Sequence, residues 1–239
     1  MKVEIWSEVT CPWCGLGGHR WDRAVERFEH GGDVEVVHRS FPLGSGLPED
    51  RTLSVREFLL AKYGVVPGQA DVPDIEGMAA AEGLAPYRVL DNRVGNTDLA
   101  HELLAHASAE GKNREAWRMM FRAYFGEAES VFTLDDLLGL AGRIGLDRER
   151  TRRVLAERRY RRQVRQDAHQ AQRLGATGAP FTVIDGRYAL AGAQDTDTLL
   201  RILRQVWDET HPTVLDAGDD AAICGPDGCA VSADHAART

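Results

Sequence analysis

Cys11-Pro12-Trp13-Cys14 is the one segment of the chain whose residue types and spacing announce chemistry at first reading. Two thiols two residues apart can close an intramolecular disulfide, which needs their Cα atoms within about 7 Å. The apolar alternation of Val3 and Ile5 before the pair reads as a strand, and the helical spacing of Leu16, Trp21, Val25 and Phe28 after it reads as a helix over 14–28. Cys11 then stands at a helix N-terminus, where free N–H groups and the helix dipole favour a thiolate. The expected chemistry is dithiol/disulfide exchange: Cys11 attacks as the more exposed sulfur, and Cys14, one turn further in, resolves the mixed disulfide. Each pKa unit by which the surroundings lower Cys11 favours its thiolate by about 1.4 kcal/mol. Pro12 has no N–H to lose in the first turn and Trp13 offers a flat apolar rim.

The elements that must position this pair follow from periodicity. Gly31-Gly32-Asp33 turns the chain into a second strand, Val34 to His38, closed by Pro42. This β-α-β opening calls for a right-handed crossover and a parallel pair. Seven helices are expected next, over 53–63, 74–82, 98–110, 114–124, 134–144, 148–157 and 160–174. Strands return in PFTVIDGRYALAG, where Asp185-Gly186 turns a hairpin between 181–184 and 188–191, and a last helix covers 196–207. The fold class is α/β, a split sheet domain of residues 1–45 and 176–209 with an all-helical domain, 46–175, inserted between its second and third strands. Residues 210–239 form a glycine- and aspartate-rich tail carrying a second pair, Cys224 and Cys229, whose sulfurs are close enough in sequence to bond.

Composition narrows the function. The 239 residues carry a formal charge of -8, which argues against nucleic acid or an anionic membrane as partner, and no apolar run approaches the ~20 residues of a transmembrane helix. The N-terminus reads as a strand rather than a signal peptide, so the chain is expected in the cytoplasm, where a CxxC pair is more often catalytic or metal-binding than structural. A zinc site built from all four cysteines, as in a zinc-stabilised interaction protein, stays open as an alternative. His19, His101 and His106 lack metal-ligand spacing and read as packing or surface residues. Nine arginines between Arg148 and Arg165 read as a solvated face, with an acidic partner, including the tail's Asp216, Asp219, Asp220 and Asp227, as the other reading.

CPWC after the first strand, GNTDLAH at 95–101, AYF at 123–125 and GATGAPFTVIDGRYALAGAQ at 175–194 together resemble the DsbA-like thioredoxin-fold proteins of the FrnE type, in the same order over about residues 1–209. The resemblance implies a thioredoxin domain interrupted by helices and a disulfide oxidoreductase or isomerase activity. It also implies that Pro180 is cis and lies against the CxxC, with Ala179 and Pro180 docking substrate backbone beside Pro12 and Trp13. Asn96 and His101 fall in a family segment near the groove, as substrate-binding residues or as a cap and a packed ring. Cys224 and Cys229 match an auxiliary pair that some relatives carry, and would exchange electrons with Cys11 and Cys14. No cofactor is expected, with glutathione as an electron donor the reading admits; the partners are cysteine-containing proteins or low-molecular-weight thiols, acting on a monomer or homodimer. The related 2-hydroxychromene-2-carboxylate isomerases share the fold, and a glutathione-dependent isomerase or transferase is the competing reading. Retention of both Cys11 and Cys14 favours redox exchange.

Overall fold

A computed structural model describes residues 1–64 and 73–212 and the backbone of 223–225 and 228–230. The chain forms two compact units, Met1–Leu203 and Arg204–Thr239. The first is built on a four-stranded sheet. Strand β1 (Lys2–Ser7) leads through helix α1 (Pro12–Arg27) and a short 3-10 turn, Gly31–Asp33, to β2 (Glu35–Ser40), which pairs with β1 in parallel from Lys2 opposite Glu35 to Ser7 opposite Ser40. Val3, Ile5, Trp6 and Ser7 are all buried, which is the pattern of a central strand covered on both faces.

The chain then leaves the sheet. Strand β3 (Leu53–Ser54), helices α2 (Val55–Tyr63) and α3 (Ile75–Ala81), strand β4 (Arg93–Val94) and helices α4 (Asp98–Ala109), α5 (Asn113–Phe121), α6 (Leu134–Ile144), α7 (Arg148–Ala156) and α8 (Arg161–Arg173) precede the return. Local signals set these ends. Ser54 and Glu57 form a capping box on α2, Thr133 and Asp136 form another on α6, and Gly145, at φ 76°, ends α6 in the left-handed region.

Two details depart from an all-helical insert. Leu53–Ser54 and Arg93–Val94 pair as a two-residue antiparallel bridge, held by Arg93 donating to the Thr52 hydroxyl at 2.6 Å and carbonyl at 2.9 Å. The helix expected over 114–124 stops at Phe121 and widens into a π-turn, Arg122–Gly126. Its carbonyls have other donors: Asn92 Nδ2 reaches Tyr124 at 2.9 Å and the Arg88 N–H reaches Phe125 at 2.8 Å. Single-turn π segments of this kind tend to mark functional surroundings.

Strand β5 (Phe181–Ile184) returns beside β1, antiparallel, and β6 (Tyr188–Ala191) pairs with β5, giving the order β2-β1-β5-β6. Asp185 and Gly186 both take positive φ in the tight turn between them. Helix α9 (Thr196–Thr210) follows, with Leu199, Leu200 and Leu203 buried. One core cluster joins Val9, Cys14 and Leu16 to Leu103, Leu104, Trp117, Met120 and Phe125, so the helix after the cysteines shares its core with the insert. A second packs Trp6, Phe41, Phe181 and Val183 on Ala171 of α8.

In the other unit, β7 (Ile223–Gly225) and β8 (Gly228–Ala230) form a two-stranded hairpin that sets Cys224 opposite Cys229. Their sulfurs, and the tail aspartates, lie outside the described residues. Part of the arginine run is paired within the fold: Arg150 with Glu110 at 2.7 Å, Arg158 with Glu102 at 2.6 Å and Arg159 with Glu157 at 2.5 Å. Among the described residues no helix is long and apolar enough to cross a membrane.

Candidate active site

Cys11 is the N-cap of α1, with extended backbone, and Pro12 takes the first helical position, where a missing N–H costs nothing. The Cys11 carbonyl accepts from the N–H of Cys14 at 2.9 Å and of Gly15 at 3.3 Å, which closes the first turn. Both cysteines are free thiols; Cys11 is half-buried and Cys14 is buried. Their surroundings split them. A hydrogen bond from the Cys14 thiol, followed by the Cys14 and Trp13 N–H groups, holds Cys11 below the ordinary thiol value against its own burial and the nearby Glu8 charge. Burial, and then Cys11 itself, pushes Cys14 well above it. One sulfur is prepared to be a thiolate and its neighbour to stay protonated.

Two partners hold the pair from outside the helix. Cys11 Sγ lies 3.7 Å from the Ala179 carbonyl, two residues before β5, and the Ala179–Pro180 bond is cis. Pro180 in turn packs on α1, because a Cβ at Gly17 would meet Pro180 Cγ at 3.5 Å. Pro12 and Trp13 are half-buried, and the Pro12 carbonyl accepts the Tyr87 hydroxyl at 2.6 Å. Cys11, Cys14, Pro12, Trp13, Ala179 and Pro180 therefore meet at one place.

Beneath them lies a buried carboxylate that sequence reasoning passed over. The Glu8 N–H donates to Cys14 Sγ at 3.4 Å, and the Glu8 side chain is 1% exposed. Its oxygens accept from the Thr10 N–H at 3.1 Å, the Thr97 hydroxyl at 3.1 Å and the Leu43 N–H at 2.5 Å. His101 Nε2 stands 3.7 Å away, too far for a hydrogen bond and near enough to oppose the carboxylate charge when protonated. Burial works to raise Glu8, but His101 and these donors outweigh it and hold the acid below its usual range. The signal available was the residue type: a glutamate at the buried end of a strand, three positions before a reactive cysteine. Tyr87, whose hydroxyl is pushed up by burial and by the two cysteines, had no signal because it enters from a distant loop.

The structure brings His101 to the site by way of Glu8 and gives it no solvent contact. It is 0% exposed and edge-on to Trp117, so it has no face toward a groove. Asn96 is engaged by the scaffold: its Nδ2 reaches the Leu47 carbonyl at 3.0 Å and its Oδ1 accepts the Asp98 N–H at 2.9 Å. Thr97 occupies the N-cap of α4 but turns its hydroxyl to Glu8. Among the described residues no group of three or more His, Cys, Asp or Glu is arranged to hold a metal.

The fold that carries this site has known counterparts. The family model described as DSBA-like thioredoxin domain matches residues 2–204. The chain belongs to that family. Its similarity to a probable DsbA oxidoreductase of Streptomyces coelicolor is 43% identity, covering 97% of this chain and 99% of that one, with a TM-score of 0.83. An uncharacterized Bacillus subtilis protein, YwbO, is 27% identical over 82% of this chain and 92% of its own length. The cytosolic disulfide reductase DsbM of Pseudomonas aeruginosa, at 17% identity, covering 88% of this chain and all of that one, shares the fold with a TM-score of 0.60. The DSBA-like fold accounts for the split sheet and the helical region between its strands, and the thiol pair sits at the N-terminus of the first helix of that fold.

Proposed function

We propose that this DSBA-like protein is a FrnE-type thiol-disulfide oxidoreductase of the cytoplasm, acting through Cys11 and Cys14 on cysteine-containing proteins or low-molecular-weight disulfides. The observation that carries the reading is the divided environment of the two sulfurs, with Cys11 lowered at the helix N-terminus and Cys14 raised in the core. The Cys11 thiolate attacks one sulfur of a substrate disulfide, whose S–S bond breaks as a mixed disulfide forms. Cys14 then attacks Cys11 Sγ, its proton passes to the departing substrate thiolate, and the pair is left oxidised. Glutathione is the reductant that returns the pair to two thiols. The Ala179 carbonyl beside Cys11 Sγ is the edge on which an extended substrate segment docks. The family match and the 43% identical probable oxidoreductase support this reading, and the cytosolic reductase that shares the fold supports the compartment.

The test is glutathione-driven reduction of insulin disulfides, followed by the glutathione disulfide released, with wild type, Cys11→Ser and Cys14→Ser. Loss of about a thousand-fold or more in Cys11→Ser, with Cys14→Ser accumulating a mixed disulfide on Cys11 visible by mass, is the expected result. Full turnover in Cys11→Ser overturns the reading. Glutathione-dependent isomerisation of an aromatic substrate that survives Cys14→Ser replaces it with the isomerase.

A further inference from the structure

Helix α8 has two faces of opposite character. Val164, Asp167 and Ala171 are buried, and Asp167, the one acid of the helix, is occupied there by the Ser40 N–H at 3.3 Å and Gln163 Nε2 at 2.9 Å. The exposed positions hold only arginine, glutamine and His169, with no acid and no apolar side chain among them. Spacing of three or four residues sets Arg162, Arg165, His169 and Arg173 in one stripe, about 17 Å long, on the side away from Ala171.

Folding does not account for this stripe. Arg158 and Arg159 are held by Glu102 and Glu157, but the guanidinium groups of Arg162, Arg165 and Arg173 have no ion-pair or hydrogen-bond partner among the described residues. The helix opens with no acid in its first turn and no side-chain cap at Tyr160, so Arg161 and Arg162 stand at the positive end of its dipole, where cations are disfavoured. Arg162 and Arg165, one turn apart, repel each other. Residues 148–173 hold ten arginines against three acidic residues, on a chain whose formal charge is -8. A run of carboxylates laid on the stripe relieves these repulsions, and the arginine fork matches a carboxylate with two parallel hydrogen bonds.

The stripe lies on the segment that leads to the thiol. Ala171 and Ala176 belong to the cluster of Trp6, Phe41 and Phe181, Ala179 packs against that cluster, and the Ala179 carbonyl is 3.7 Å from Cys11 Sγ. Six residues of chain join Arg173 to Ala179, a reach of at most about 20 Å. We infer that the outer face of α8 is a docking surface for the acidic flank of a protein substrate whose disulfide is presented to Cys11. This names the substrate class of the redox reading and rests on it. An extended acidic run of about five residues covers the stripe. Nucleic acid fits less well: a long polyanion meets the net negative charge of the chain, and the stripe offers no aromatic side chain on which bases stack.

The probes are two disulfide-bearing peptides of equal length, identical except that flanking glutamates in one replace glutamines in the other. Their glutathione-driven reduction is measured with the full chain, and docking alone is read by fluorescence anisotropy on versions with serine in place of cysteine. In low salt the glutamate peptide is expected to be reduced with a kcat/KM about ten-fold or more above that of the glutamine peptide, and the two converge in high salt. Arg162→Glu, Arg165→Glu and Arg173→Glu together remove the preference by raising KM for the glutamate peptide, with circular dichroism confirming the fold. Arg23→Glu, Arg187→Glu and Arg201→Glu make the same change in net charge at other exposed positions and keep the preference. Equal docking of the two serine peptides by wild type overturns the proposal, as does a preference that the α8 variant retains. Binding of a DNA duplex that depends on α8 and exceeds that of the glutamate peptide assigns the face to nucleic acid and overturns it as well. Glutamate-selective docking with neither disulfide peptide reduced supports the surface and overturns the redox reading, so the two failures are told apart.

Discussion

Helix α1 meets the rest of the protein on two sides, and the two sides differ in how closely they fit. At Gly17 the contact is with Pro180 and Ala193, where an added Cβ would come within 3.3 Å of the Ala193 methyl. At Gly15 the other side is tighter still, against the Tyr87 hydroxyl and Phe125, and three residues on, at Gly18, it loosens to ordinary contact with His38 and Phe121. The first turn, which carries the sulfurs, is clamped from both directions; the second turn is clamped from one. Geometry at a thiol pair is worth holding to tenths of an ångström, because both the thiolate's hydrogen bonds and the attack of one sulfur on the other depend on it. The cost of that clamp is a row of glycines where a helix would otherwise prefer alanine.

The largest effect that separates the two sides is the titration of His38. Its folded pKa, about 4, lies below the ordinary 6.5 because burial penalises the charged ring, with Arg114 and Arg118 adding to that and Asp22 opposing it. A depressed value means that the unfolded chain takes up the proton first, so the stabilising contribution is complete above pH 6.5 and is lost as pH falls toward 4. The loss amounts to about 3 kcal/mol. Urea unfolding at pH 7 and pH 4.5, which stops short of the folded value, should show His38→Phe losing about 2 kcal/mol less than wild type. Parallel losses in the two proteins would mean that the ring is hydrated in the native state.

Next come the glycines themselves. Alanine in a helix interior gains about 1 kcal/mol over glycine when there is room for it. Gly18→Ala has the room and should stabilise by roughly that amount. Gly15→Ala must displace Tyr87, loses its hydrogen bond to the Pro12 carbonyl, and should destabilise by about 1–2 kcal/mol net. Equal shifts in the two unfolding midpoints would show the clamp to be slack.

These pairs also show what the chain reveals before it folds. The cysteines, the strand and helix around them, the 185–186 turn and most helices were legible because each rests on local rules: period, caps, glycines at positive φ. The DSBA-like framework followed from motifs quoted in order. The π-turn at 122–126 was not legible, because it depends on Asn92 and Arg88 arriving as competing donors from another segment. Glu8, Thr97 and His101 formed no pattern in sequence, since they converge from β1's end and the start of α4 only when the insert packs on the sheet. Asn96 and His101 read either as groove residues or as a cap and a packed ring, and the sequence left both open. Their neighbours along the chain gave no hint that one would tie down the 45–47 loop and the other face a buried acid.

That buried acid gives the smallest expected effect and the most specific one. Glu8 is ionised below both sulfurs, and its charge opposes ionisation of each. Glu8→Gln keeps the backbone N–H that donates to Cys14 and the volume that fills the site; it removes the charge and turns one acceptor oxygen into a donor that faces the Thr10 or the Leu43 N–H. Cys11 should then titrate lower in a pH series of iodoacetamide alkylation rates, because the opposing charge is gone. A more favoured thiolate stabilises the reduced pair, so the reduction potential should rise. The sign is the discriminating feature. If Glu8 instead served mainly to accept the Cys14 proton, the variant would leave the Cys11 titration unchanged and slow only the release of the mixed disulfide. A fall in the potential would contradict both accounts, because no arrangement of a removed negative charge makes a nearby thiolate harder to form.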